Sequence, residues 1–272
     1  MKNIITLTTI PTRTEYLVFF LKNFENQSIQ PDKIELYIPY EYARRNLGKI
    51  DLKKIPSDFN VIRCEDFGPA TKIIPALKNH KNDNVRLIFC DDDRYYSNEW
   101  LSRLIKQSEN NPTKCIADEV TSVDALLHLY KEGFIKKDIN YRLKRLFSLG
   151  LWKPKNFNNV KPNIIHGFGG VVVKPKFFCD LIFNIPDVAW PNDDIWISAN
   201  LEKNNVEIMY TEREKKDKSQ PIFLPGEQYY QDDELVNAII HGKNKLNVNY
   251  SIIKYCIENL EIWKNYKPLI KE

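Results

Sequence analysis

The run Leu87-Ile88-Phe89-Cys90 is followed at once by Asp91, Asp92 and Asp93. Four apolar residues in a row read as a buried strand. Three carboxylates at its end repel one another unless something positive lies between them. On an extended chain residues i and i+2 point the same way, so Asp91 and Asp93 are expected to share a face, with Asp92 turned aside. Two hard oxygen donors on one face suit Mg²⁺ or Mn²⁺, which keeps waters and takes further oxygens from substrate phosphates. A solvated turn capping the next helix is the plainer alternative, and the run alone does not choose between them.

Around this run, strand-like segments alternate with helical patterns. Asn3–Thr9, Lys33–Ile38, Asn60–Cys64 and Val85–Cys90 read as strands, and Lys114–Ala117 as a further short one. Helices are expected over Glu15–Asn26, where Tyr16, Phe19, Phe20, Leu21 and Phe24 recur at helical spacing, from Gly68-Pro69 to about Asn79, and over Asn98–Gln107. This succession predicts an α/β fold with a mainly parallel central sheet and helices on both faces. Ligands bind such sheets beyond the carboxyl ends of the strands, which gathers Thr8–Arg13, Glu65–Lys72 and Asp91–Asp93 around one crevice. Ile164–Val173 returns to strand character around Gly167, Gly169 and Gly170, and Asp193-Asp194 precedes an amphipathic helix. Val206–Tyr210 is a late strand, Glu212–Ser219 a charged loop, and the tail from Asp233 is helical.

The 272 residues suit one or two domains. With 43% hydrophobic and 28% charged residues the chain is that of a globular protein rather than a disordered one. Forty basic against 36 acidic residues is too balanced to imply a nucleic-acid partner. Five scattered cysteines, odd in number and without a CxxC pair, point to reduced thiols in a cytoplasmic protein and away from structural zinc. The start, Met1 to Leu7, reads as a strand rather than a leader, and no apolar stretch approaches the roughly 20 residues of a membrane span. Residues 136–155 carry a basic cluster (Lys136, Lys137, Arg142, Lys144, Arg145, Lys153 and Lys155). It is read as either a contact with an anionic acceptor or with a membrane surface at its inner face, or a solvated helix packed by Ile139, Leu143, Leu146 and Phe147; the solvated helix is preferred.

Four blocks, taken in order, resemble a bacterial glycosyltransferase of the GT-A fold, close to the large family-2-like group. They are Leu7-Thr8-Thr9-Ile10-Pro11-Thr12-Arg13, Arg63 to Lys72, Asp91-Asp92-Asp93, and Asp193-Asp194-Ile195-Trp196-Ile197-Ser198, with His166 to Gly170 between the last two. The resemblance covers residues 3 to about 205. It implies a Rossmann-like GT-A domain over 1–232 and a C-terminal helical extension over 233–272. Within the domain it implies a nucleotide-sugar half (1–123), a variable basic insertion (124–160) and an acceptor and catalytic half (161–232).

By this resemblance Asp91 and Asp93 form a DXD motif that holds Mn²⁺ or Mg²⁺ against the diphosphate of a nucleotide-sugar, with UDP-sugars favoured. Thr8, Thr9, Arg13, Asp66, Lys72, Asp92, Gly169 and Gly170 are the expected donor-contacting residues. His241 is a candidate third metal ligand. Asp194 is the first choice for the general base of an inverting transfer and Asp193 the second, against the plain alternative that an Asp there caps the helix. Where family members carry a base-reading acid after the second strand, this chain has Ile38-Pro39-Tyr40. The implied acceptor is a hydroxyl of a glycan or lipid-linked glycan, as in polysaccharide biosynthesis, and the C-terminal helices offer a face for a homodimer. Two other readings are a non-catalytic glycan- or nucleotide-sugar-binding module on the same scaffold and a sugar-nucleotidyltransferase. The latter is disfavoured because the loop after the first strand has no glycine.

Overall fold

The computed structural model describes residues 1–43, 47–132, 161–222 and 245–270. Strands β1 (Lys2–Thr8), β2 (Lys33–Pro39), β3 (Asn60–Cys64) and β4 (Val85–Phe89) run parallel in the spatial order β3-β2-β1-β4. Their side chains alternate between two cores, as the pleat requires. Ile4, Tyr37, Leu87 and Phe89 enter one. Ile5, Leu7, Leu36, Ile38 and Ile88 enter the other. Both faces are therefore covered by helices, and the expected α/β class with a mainly parallel sheet is the one observed.

Helices α1 (Tyr16–Glu25) and α3 (Trp100–Asn110) cover the second core. In α1 the buried stripe is Leu17, Phe20 and Phe24, while Phe19 is exposed. Helices α2 (Ile74–Asn79), α4 (Val123–Glu132), α5 (Asp193–Lys203) and α6 (Lys245–Asn259) cover the first core. The apolar side of α6, with Ile252, Ile253, Cys256 and Ile257, lies in the same core as Ile195 and Ile197 of α5. No helix among the described residues is long and apolar enough to cross a membrane. All five cysteines are unpaired. The basic segment 136–155 and His241 lie outside the described residues.

The sheet continues past β4 with a reversal. The stretch Ile164–Val173 is not one strand. Ile164–Ile165 (β8) pairs with Val120–Thr121 (β7), a 3₁₀ turn occupies Gly167–Gly169, and Val171–Val173 (β9) enters the main sheet. β9 is antiparallel to both of its neighbours, β4 and β6 (Cys115–Ala117), and β10 (Ile208–Tyr210) closes the far edge. A small antiparallel pair, β5 (Arg94–Tyr95) and β11 (Gln220–Pro221), lies just beyond β4. The reversal matters for the site. An antiparallel strand presents its entry loop, here His166–Gly170, at the edge where its parallel neighbours present their exits.

A carboxylate-lined cleft as the candidate active site

β1 leads sideways to β2, while β4 lies on its other flank, so the chain leaves the β1 and β4 ends in opposite directions and opens a crevice between them. A cleft of about 320 Å³ occupies it. Thr8, Thr9 and Arg13 line it from the end of β1, Asp66 and Lys72 from the β3–α2 connection, and Asp91, Asp92 and Asp93 from the end of β4. Asp193 and Asp194 enter from the start of α5, Trp190 and Asn192 from just before it, and Lys245 and Asn249 from α6. The crevice predicted from strand order alone is present, and α5 brings both distant aspartates into it.

Strand geometry ends at Phe89, and Asp92 and Asp93 occupy a turn. The i, i+2 alternation therefore does not govern where the three acids face. Asp92 and Asp93 both turn to Arg13, whose Nη1 lies 3.6 Å from Asp92 Oδ1 and 2.9 Å from Asp93 Oδ2. Asp91 turns instead to Lys72, at 2.8 Å from Nζ. Asp92 is buried, and its Oδ2 has no hydrogen-bond partner. Burial pushes its carboxyl up to about 7 against the pull of Arg13, with Asp93 adding to the rise. Burial raises Asp93 as well, again opposed by Arg13.

Lys72 joins the two ends of the cleft. The residue is 5% exposed, and its ammonium lies 3.2 Å from Asp193 Oδ2, off the hydrogen-bond direction, as well as against Asp91. Burial works against the charge, but Asp193, Asp91 and Asp194 outweigh it and hold the lysine well above its ordinary value. Such close approach needs Gly167. A Cβ there would meet Lys72 Nζ at 2.8 Å and Asp194 Oδ1 at 3.3 Å.

The two aspartates of α5 differ. Asn192 occupies the cap position, with its side chain turned to Asn249, so Asp193 and Asp194 are the first two helical residues and neither is the cap. Asp193 is the more buried; burial raises it to about 6, against Lys72 and with Asp194 and Asp91 adding to the rise. Asp194 accepts from Gly167 N at 2.8 Å and lies 3.2 Å from His166 Nδ1. Burial would raise it too, but His166, Lys72 and the Gly167 amide outweigh that and leave it below the usual carboxylate range. Ser198 Oγ donates to the Asp194 carbonyl at 2.6 Å and accepts from Ile165 N at 3.0 Å, tying the first turn of α5 to β8.

The other expected residues take varied positions. Thr8 Oγ1 donates to Tyr37 O at 2.8 Å, and Thr9 is buried at the cleft wall. Asp66 spends one oxygen on its own loop, accepting from Gly68 N at 2.8 Å, and the other on Ala43 N at 2.7 Å in the β2–β3 connection. Gly169 and Gly170 approach protein rather than open space. A Cβ on Gly170, at φ 95°, would fall 2.2 Å from Trp100, and one on Gly169 would meet Glu119. Trp190 faces the cleft, whereas Trp196 is buried and donates to Ile182 O at 3.0 Å.

Three features escaped the sequence reading. Tyr42 closes the far wall, its hydroxyl donating to Thr9 O at 2.8 Å. Tyr96 lies fully buried beneath the Asp91–Asp93 turn. Behind the glycine loop, Asp118 is fully buried between Arg103 Nη2 at 3.1 Å and Arg213 Nε at 2.8 Å, and Thr211 Oγ1 donates to it. Glu119 takes Arg213 Nη2 and Lys218 Nζ. The charged stretch Glu212–Ser219 is thus pinned at Arg213 and Ser219, both largely buried. A pair of acids directly after strand β6 was the available signal.

The donor set fits a divalent cation of the Mg²⁺ or Mn²⁺ kind. Asp91 and Asp93 are hard oxygen donors with about one-third of each side chain open to the cleft, and Asp92 adds an unpartnered buried oxygen. Among the described residues no three metal-ligating side chains converge on one point. That suits a cation completed by water and phosphate rather than a closed protein cage.

No protein-family model matches the chain, and no curated protein matches it. Among solved structures it is similar in shape to the mannosyltransferase PcManGT from Pyrobaculum calidifontis, in complex with GDP-Man and Mn²⁺, at 13% identity and a TM-score of 0.44 over 77% of this chain. It is also similar to S. aureus TarS residues 1–349, in complex with UDP at 12% identity and a TM-score of 0.47 over 100% of this chain. For TarS in complex with UDP-GlcNAc the values are 12%, 0.48 and 99%. The chain spans 54% of the mannosyltransferase and 76–78% of the TarS fragment.

Proposed function

We propose that the cleft moves a sugar from a nucleoside-diphosphate sugar, with UDP-sugars favoured, to an acceptor hydroxyl with inversion at the anomeric carbon. The observation that carries this reading is the meeting, in one cleft, of the Asp91–Asp93 turn, two cations (Arg13 and Lys72) and the Asp193–Asp194 pair. Asp91 and Asp93 would hold Mn²⁺ or Mg²⁺. A cation bound there supplies positive charge against the charge that grows on the departing diphosphate. Arg13 and Lys72, already at those carboxylates, are placed to turn toward phosphate. Thr8, Thr9 and Tyr42 line the nucleotide side, and Trp190 offers an aromatic wall on the sugar side.

Asp194 is the proposed base. It is ionised, more exposed than Asp193, and aimed by Gly167 and His166. It takes the proton of the acceptor hydroxyl as that oxygen bonds to the anomeric carbon and the bond from that carbon to the phosphate oxygen breaks. Lys72 holds Asp193 beside it, which makes Asp193 the second candidate. The acceptor class, a glycan or lipid-linked glycan of a polysaccharide pathway, rests on the family resemblance of the four sequence blocks.

A panel of nucleotide-sugars with and without Mn²⁺ tests the reading on wild type, Asp93→Ala and Asp194→Ala. Metal-dependent turnover of one donor, lost in both variants, is expected. Binding without turnover for every donor would favour a non-catalytic module instead. Full transfer by Asp194→Ala with loss in Asp193→Ala would move the base to Asp193.

A further inference from the structure

Tyr96 plays no part in the chemistry above, yet the two halves of the cleft meet at its hydroxyl. Its ring is fully buried, 4.3 Å from Trp100 and edge-on to Phe20 and Phe24. Its backbone is pinned on both sides. The amide donates to Asn23 Oδ1 at 2.9 Å, and the carbonyl accepts from Asn23 Nδ2 at 2.7 Å. A phenol held this way cannot swing aside.

The oxygen lies 3.2 Å from each of three backbone atoms. It accepts from Asp91 N and shares its proton between Asp91 O and Phe168 O. Asp91 belongs to the carboxylate turn. Phe168 belongs to the loop whose Gly167 amide and His166 ring hold Asp194. The aromatic neighbours ask for no hydroxyl, since phenylalanine would fill the same space. What the oxygen adds is a link between two backbones that come from distant parts of the chain.

We propose that Tyr96 is a positioning residue for sugar transfer, its hydroxyl setting the spacing between the turn that holds the donor and the loop that aims Asp194. The proposal rests on the transferase reading of the cleft. Donor contacts come from side chains on the turn and do not need the link. The alignment of Asp194 with the donor does. Misplacing a reacting group by about 1 Å costs up to about 100-fold in rate. Tyr96→Phe should therefore lower kcat by about 10- to 100-fold and leave KM for the nucleotide-sugar within about twofold.

The test pairs steady-state kinetics of wild type and Tyr96→Phe with hydrogen exchange of the peptide spanning 166–170 and with thermal melting. The expected result is lost kcat at unchanged KM, faster exchange in that peptide, and melting within a few degrees of wild type. Wild-type kcat in the variant overturns the proposal. So does a loss of kcat that comes with raised KM and much earlier melting, which marks a merely structural role. If wild type turns over no donor, the transferase reading fails by itself. The exchange measurement then judges the link alone, and unchanged exchange removes it.

Discussion

Two groups of buried charge flank the glycine loop, and they are compensated in opposite senses. On the cleft side, Asp91, Asp92, Asp93, Asp193 and Asp194 meet two permanent cations, Arg13 and Lys72, and oxygens of Asp92 and Asp193 lack hydrogen bonds. Behind the loop, Asp118 and Glu119 meet three, Arg103, Arg213 and Lys218. Each group mixes buried and partly open side chains, so burial alone does not separate them. The balance of charge does. The rear cluster is complete as it stands, whereas in the front one five carboxylates share two ion-paired cations, with Arg94 acting on Asp93 from farther off, and a cation from outside would find open oxygens there.

The contrast breaks most sharply at Asp93. In Asp93→Ala, sugar transfer should fall by about a thousandfold or more, equivalent to about 4 kcal/mol. Melting should not fall, because a repelling carboxylate is gone and Arg13 keeps Asp92. Asp118→Asn should do the reverse. It leaves two largely buried arginines short of their partner and should cost about 3–5 kcal/mol of stability, read from denaturant unfolding. KM for the donor should stay at the wild-type value in the molecules that remain folded.

A pH series comes next in size. The Asp193 carboxyl stands at about 6 in the folded chain against an ordinary 3.8. The folded state therefore holds this proton to higher pH than the unfolded state does. The stability it contributes is full below the ordinary value and is lost as pH rises through about 6. At about 1.4 kcal/mol per pH unit, the loss is about 3 kcal/mol. Asp193→Asn should lessen the slope of this part of the melting curve and leave the share of Asp92, which is raised to about 7. Asp194 is lowered instead, so its contribution is lost only on acidification below the usual carboxylate range, and the two windows do not overlap. Smallest is Glu119→Gln, at the rim of the rear cluster. Arg213 keeps Asp118, and a loss of about 1 kcal/mol or less is expected from melting.

The parallel half of the sheet was legible within a residue or two at each end, because β1 to β4 are short apolar runs whose neighbours carry helical spacing. The crevice followed from strand order. The facing of Asp91, Asp92 and Asp93 did not, because the alternation rule was carried past Phe89, where the pleat stops. Lys72 reads from the sequence as a donor-contacting residue. Its contacts with Asp91 and Asp193 join residues far apart in the chain, and no local pattern announces them. The same holds for Tyr96 and for Arg213 against Asp118. The three valines of β9 carry strand propensity but no direction. Their reversal depends on pairing with β4 and β6, and a single sequence does not display it.

That reversal also orders the assembly of the molecule in time. In the main sheet β6 reaches β4 only through β9, so as the chain leaves the ribosome β6 stays unjoined to β1–β4 until residue 173 is made. Until then β4 is an open edge of buried-type residues, the kind that pairs with a stranger. A nascent or truncated chain that stops short of β9 should be prone to aggregate. Asp194, which holds the loop leading into that strand, is made later still.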